Sequence, residues 1–293
     1  MHADKPPDPC LPDEAASGEA SGASDGDHPA TGPGPEPTRR TAAQATAIAA
    51  VILASLPVVP LTARAHLALI APFLVIPLGL AAMAAYSRSA AVYRLVLGAD
   101  CVMLLVLAFG IRIWPAPLVL APLAVWLSSR PLSTPRAALP WLRRGEITAL
   151  TWYGMLATAV VSGAALIAWA YIVHPKAGPY LETLQRQSLP VAVAGLIGFG
   201  LVNAACEESA YRGLFFSELR FVVPVPVAVI VQAIGFGLIH SSGIPSGPAG
   251  MVLAGSYGLA LGIIRERSRG MVAPYITHVL ADTTIGLLAL TVL

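Results

Sequence analysis

From residue 43 onward the chain is a succession of apolar runs, each near the roughly 20 residues that a helix needs to cross a bilayer. The runs fall at 43–62, 67–86, 95–111, 115–129, 149–173, 190–210, 224–240, 249–265 and 271–293. Few of them alternate as strands do, and unpaired strand edges cannot sit in lipid. The expected fold is therefore all-α, a polytopic transmembrane bundle of eight or nine helices. The count turns on the third and fourth runs, separated only by Arg112, Ile113 and Trp114. They form either a tight hairpin or one long tilted helix. Composition agrees: charged residues make up 12% of the 293, about half the usual share of a soluble domain.

The net charge of +2 hides a split. Residues 1–40 carry eight acids against three Lys and Arg, and the remainder carries eight acids against fifteen. The first 40 residues, rich in Pro, Gly, Ser and acids, lack the apolar surface that offsets the entropy of ordering. They read as a disordered tail with no basic-then-apolar leader pattern, so the first span is expected to be an uncleaved anchor. Residues 41–189 read as N-terminal membrane helices and 190–293 as the segment carrying chemistry. Loop charge orients such a bundle. With nine spans, Arg39, Arg40, Arg88, Arg94, Arg130, Arg136, Arg143, Arg144, Arg265, Arg267 and Arg269 fall on one side. Arg64, Arg112, Lys176 and Arg186 fall on the other. That places the N-terminus in the cytoplasm of a multi-pass cell-membrane protein. The arginines form no continuous basic face, so nucleic acid is not an expected partner. Cys10, Cys101 and Cys206 show no CxxC spacing, and neither a disulfide framework nor a structural zinc site is indicated.

Polar residues inside apolar runs are costly and are usually functional. Three clusters occur, all in the last third of the chain. In the run EESAYR, Glu208 and Arg212 stand four apart on one helix face, acid first, the favourable order. Glu207 points about 100° away, on the stripe Asn203, Glu207, Tyr211. One glutamate is thus neutralised by arginine and the other is left as a candidate general base. The second cluster is FGLIH, ending in His240. The third is HVLAD, with His278 and Asp282 on one face of the final run. The glycines of the late runs, including Gly200, Gly258 and Gly262, are read as packing positions that let helices approach closely.

Two reaction schemes fit two Glu, two His, one Asp and one Arg on neighbouring apolar helices. In one, a glutamate activates water, a histidine assists and the other polar groups hold the oxyanion. In the other, Glu and His ligate a divalent metal such as zinc, although no HExxH run is present. Non-catalytic readings also remain: an immunity or scaffolding protein that keeps the cluster for helix association, or a proton-relaying transporter. The transporter reading finds no inverted repeat of broken helices to support it.

The runs EESAYR, FGLIH and HVLAD resemble the EExxxR, FxxxH and HxxxN/D signatures of the CAAX prenyl protease 2-like family. This is the bacteriocin-processing, or CPBP, group of intramembrane glutamic endopeptidases. The stretch GIIRERSRGMVAP from Gly262 to Pro274 also resembles the family's approach to its last motif. The resemblance covers about residues 190–290. It implies a membrane endopeptidase acting on a peptide or protein substrate at the bilayer, with no cofactor. Carried over, Glu207 activates water, His240 assists, His278 and Asp282 line the oxyanion site, and Arg212 supports the glutamate pair that includes Glu208. One departure is chemical: the family's last motif often ends in Asn, and an ionised Asp282 accepts hydrogen bonds without donating them. Straight, centred spans would also put Glu207 and His240 at opposite ends of adjacent helices. The expectation that resolves this is a Glu207 helix continuing to about Leu219, with Pro224 and Pro226 supplying the break.

Overall fold

The computed structural model describes residues 37–56, 67–129, 143–175, 182–183 and 186–291. The described helices belong to one compact unit, residues 36–293. The acidic tail lies almost wholly outside the described residues, as do Arg64, Arg130, Arg136 and Lys176.

Nine long helices follow one another among the described residues: α1 (Pro37–Ala54), α2 (Leu67–Ser87), α3 (Ala90–Phe109), α4 (Pro117–Ser128), α5 (Ala149–Val173), α6 (Leu189–Leu219), α7 (Val225–Ile239), α8 (Gly247–Ser268) and α9 (Val272–Thr291). Each expected span has its helix. The doubtful third and fourth runs are two helices, α3 and α4, joined by a tight 3-10 turn at Gly110–Ile113. Sequence chemistry sets the ends. Ser89 accepts a hydrogen bond from the Val92 amide and Thr148 from the Thr151 amide, so both side chains cap helix starts. Prolines in the first turn open α6, α7 and α8, where a missing N–H costs nothing.

Among the described residues five helices, α3, α5, α6, α8 and α9, are long and apolar enough to cross a membrane. Helix α5 shows why the surface needs lipid: Trp152, Tyr153, Val160, Val161 and Ile172 are all more than half exposed. A contiguous apolar face of this kind is not left to water.

Helix α6 sets the position of everything polar. Its α-helical part runs Leu189–Glu208, then passes through a π segment at Ser209–Phe215 and closes with Phe216–Leu219. The helix therefore does continue to Leu219. Its first half turns Leu189, Ile197 and Val202 outward, whereas residues 210–219 are buried on every side. The π turn widens the coil and changes its hydrogen-bond ladder. The Arg212 carbonyl inside it accepts from Ser217 Oγ at 3.3 Å and from Arg265 Nε at 3.3 Å. Arg265 also donates to Ser217 Oγ at 3.3 Å. Arg265 and Arg94, counted above with the loops, thus lie inside helices. Arg94 of α3 meets Glu218 at 2.8 Å, and Arg39, Arg40 and Arg267 likewise fall within helices, in the first turn of α1 and the last turn of α8.

Two contacts position the last helix. The Met271 amide donates to Arg143 O at 2.9 Å and the Glu146 amide to Ser268 O at 2.8 Å, clipping the α8–α9 turn to the segment before α5. The clip requires Gly145, at φ +80°, and Gly270, where a Cβ would collide with the Arg144 carbonyl. Close packing of α7 on α8 relies on Gly237, Gly258 and Gly262. A Cβ on Gly237 would lie 2.7 Å from the Met251 carbonyl oxygen, and one on Gly262 2.5 Å from Gln232 Nε2. A Cβ on Gly154, by contrast, meets nothing within 4 Å.

Gly237→Ala is expected to destabilise the bundle by about 1–3 kcal/mol through overpacking against backbone, lowering Tm in detergent by several degrees. Gly154→Ala is expected to leave Tm unchanged or slightly raised. Thermal unfolding of both variants by scanning fluorimetry checks the pair; equal effects would refute the packing argument.

Candidate functional site

The run EESAYR falls at the junction between the α-helical and π parts of α6, where neighbouring helices close around it. Glu207 is 4% exposed, Glu208 1% and Arg212 0%. These residues are therefore no solvated helix end. A guanidinium at that depth needs partners, because an unpaired buried charge is far costlier than a paired one. Arg212 NH1 donates to Glu208 Oε1 at 2.9 Å, and NH2 donates to the Gly258 carbonyl at 3.2 Å. The guanidinium also lies 4.4 Å above the Phe236 ring, a favourable cation–π geometry. Gln232 Nε2 donates to the same Gly258 oxygen at 2.9 Å.

Glu208 Oε1 serves a second partner. His278 Nδ1 stands 2.8 Å from it. A carboxylate only accepts, so Nδ1 carries a proton and the ring turns Nε2 to its far side. That Nε2 faces Glu207 Oε2 at 3.5 Å and Asp282 Oδ1 at 3.7 Å. Arg212, Glu208 and His278 thus form a continuous polar chain from α6 to α9. Tyr257 and Phe236 set the imidazole in place, each meeting it edge to face with ring centroids 5.7 and 5.8 Å away.

Glu207 points away from the Arg212 pair, as the helix period predicts. Its Oε2, like that of Glu208, is buried with no hydrogen-bond partner among the described residues, but only Glu207 lines a cavity. Asp282, one turn beyond His278, accepts from Asn203 Nδ2 at 3.3 Å through its second oxygen. The close approach of α6 and α9 here depends on Gly200, where a Cβ would sit 3.2 Å from Asp282 Cβ. His240 caps the end of α7, and its Nδ1 lies 2.8 Å from the Phe236 carbonyl. The carbonyl can only accept, so this histidine too is protonated on Nδ1, with Nε2 as its remaining nitrogen. The Phe236 ring lies against both imidazoles, 4.8 Å from that of His240.

Glu207, His240, His278, Asp282 and Asn203 all line one cavity of about 1400 Å³. Its other walls are apolar, from Val102 and Val106 on α3, Leu166 on α5, Phe199 on α6 and Leu253 on α8. Ser55, at the end of α1, also reaches it. The Ser55 hydroxyl donates to the Val51 carbonyl at 2.7 Å, so the Tyr211 hydroxyl donates to Ser55 at 2.9 Å. That bond fixes the π segment against α1.

All six residues singled out in the sequence therefore converge. Glu207, His240, His278 and Asp282 share the cavity wall, and Glu208 and Arg212 lie behind it. Asn203 was visible only as a neighbour of Glu207 on one helical stripe. Arg265, Gln232 and Ser55 had no local signal, because their partners lie 26 to 156 residues away. For a metal, the donors do not fit a common centre. Glu208 meets the Nδ1 side of the His278 ring, whereas Glu207 and Asp282 meet Nε2. No group of three His, Cys, Asp or Glu among the described residues is arranged to hold an ion.

Comparison with known families finds a match. Residues 187–284, about a third of the chain, match the family model described as type II CAAX prenyl endopeptidase, Rce1-like. The matched stretch contains α6 to α8 and most of α9, and with them every residue of the polar chain. Neither a curated protein nor a solved structure matches.

Removing one partner of the Arg212–Glu208 pair strands a buried charge. Arg212→Met is expected to cost about 3–5 kcal/mol and to lower Tm in detergent sharply. Glu207→Gln, which breaks no hydrogen bond, is expected to leave Tm within about a degree or two of the parent, given the modest effect of isosteric changes at unbonded groups. Thermal unfolding of the two variants side by side checks the asymmetry.

Proposed function

We propose, from the premise that residues 187–284 belong to the Rce1-like family of type II CAAX prenyl endopeptidases, that this multi-pass membrane protein hydrolyses a peptide bond with a water activated by Glu207. A membrane endopeptidase of the CAAX protease kind follows from the family; the glutamate mechanism is our reading. The observation that carries it is the contrast within one dipeptide. Glu208 is held through Oε1 by Arg212 and His278 and lies behind the cavity wall, while Glu207 has no hydrogen-bond partner at its buried Oε2 and lines the cavity.

The chemistry proceeds by general base catalysis. Glu207 takes a proton from water as the water oxygen bonds to the scissile carbonyl carbon. The carbonyl π pair moves onto its oxygen. Collapse of the tetrahedral intermediate breaks the C–N bond, and the proton held by Glu207 passes to the leaving amine. His278, held by Glu208 through Nδ1, keeps the Nε2 edge of its ring beside Glu207 and Asp282. His240, held by the Phe236 carbonyl, turns its remaining nitrogen to the water. Arg212 keeps Glu208 in place. The apolar walls exclude bulk water, so each fixed dipole acts in a low dielectric and stabilises developing charge more strongly. The substrate is a peptide or protein segment presented at the bilayer. The loop arginines support a cytoplasmic N-terminus.

The test uses purified full-length protein in proteoliposomes and an internally quenched peptide ending in a prenylated CAAX sequence. Glu207→Gln is expected to lower kcat by about 10²- to 10⁴-fold, the usual contribution of a general base. Wild-type activity is expected to survive a strong chelator, with substoichiometric metal in the protein. Retained activity in Glu207→Gln removes the glutamate mechanism and leaves a non-catalytic or differently catalysed reading. Loss on chelation, restored by zinc, supports the metal-dependent alternative.

A further inference from the structure

We propose that Asn203 is a further catalytic residue, the hydrogen-bond donor to the oxyanion of the tetrahedral intermediate, with Asp282 as the acceptor that aims it. This deepens the reading above and rests on it.

The need arises from charge. Three carboxylates, Glu207, Glu208 and Asp282, surround His278. An oxyanion formed beside them requires an N–H or O–H, and an ionised Asp282 supplies none. Asn203 is the one carboxamide among the described residues that line the cavity. It is 9% exposed. One hydrogen of its Nδ2 goes to Asp282 Oδ2 at 3.3 Å, which fixes the amide plane. An amide nitrogen carries two hydrogens, so a second donor remains.

Spacing supports the role. Asn203 and Glu207 are four residues apart on the α-helical part of α6, a rise of about 6 Å at 1.5 Å per residue. A reacting carbonyl has to lie about 3 Å from both the group that activates water and the oxyanion donor. One helical face thus holds both at the required separation. As the new C–O bond forms, the carbonyl π pair moves to oxygen and accepts the second Asn203 N–H. When the C–N bond breaks, the pair returns and the hydrogen bond weakens. Gly200 serves the same end, because its missing side chain lets Asp282 come close enough to hold the amide.

The test measures kcat and KM for wild type, Glu207→Gln, Asn203→Ala, Asn203→Asp and the exchange Asn203→Asp/Asp282→Asn, with the same quenched prenylated peptide and proteoliposomes. Asn203→Ala and Asn203→Asp are each expected to lower kcat by about 10²- to 10³-fold, the cost of one oxyanion donor, with little change in KM. Asn203→Asp keeps the shape, so it reports on the donor even where Asn203→Ala folds poorly. The exchange moves the carboxamide across the same hydrogen bond and is expected to recover much of the lost kcat. A kcat within about threefold of wild type in Asn203→Asp, or a rise in KM alone, overturns the proposal. An inactive wild type, or an active Glu207→Gln, overturns the parent mechanism and this proposal with it. An inactive Glu207→Gln beside a normal Asn203→Asp removes this proposal alone.

Discussion

A single buried carboxylate oxygen, Glu208 Oε1, holds the site together. It takes hydrogen bonds from Arg212 on its own helix and from His278 some 70 residues on. The cost of burying these charges is large, and mutual pairing at Oε1 is what offsets it. Arg212 spends its remaining reach on the Gly258 carbonyl and the Phe236 face. Four helices, α6 to α9, are therefore registered to one another by a single ionic cluster. In a bundle whose apolar faces are interchangeable with lipid, packing alone specifies register weakly, and a polar cluster of this kind supplies it.

The neighbouring glutamate shows what the cluster leaves over. Adjacent residues on a helix point about 100° apart, so a pair such as Glu207 and Glu208 cannot share one arginine. The fold uses one acid for structure and turns the other to the cavity. The π segment begins immediately after them, at Ser209. Its altered ladder is stabilised from outside, by Arg265 on α8 and by Ser55 on α1 through Tyr211. The N-terminal helices thus take a direct part in holding the residues of the C-terminal third.

How much of this could be read from the sequence follows from the range of each interaction. The helices were legible because apolar run length is a local property, and the break at Pro224 and Pro226 is local too. The Glu208–Arg212 pair was legible because i and i+4 residues meet on any helix. The continuation of α6 to Leu219 followed from requiring Glu207 and His240 to meet. The loop assignment of Arg94 and Arg265 failed for the complementary reason. Their partners, Glu218 and the Arg212 carbonyl, are distant in sequence, and nothing in the neighbouring residues marks an arginine as buried. Asn203 shows the intermediate case. Its stripe was apparent, but its bond to Asp282 spans 79 residues and emerges only when α6 and α9 pack.

That bond also bears on the unusual final residue of the third motif. A carboxylate in an apolar wall beside two other acids would be expected to weaken the site, since it adds negative charge where the proposed mechanism develops more. Pairing it with a carboxamide changes the outcome. The acceptor surplus of Asp282 is absorbed by Asn203, and a donor is thereby fixed on the same helix face as Glu207. In such a cavity, where fixed dipoles act with little screening, the sign of the hydrogen-bonding groups matters more than the identity of the residue that supplies them. In the proposed mechanism the amide donor stands on α6 and its acceptor on α9, and the close approach at Gly200 is the packing condition that lets Asp282 hold it.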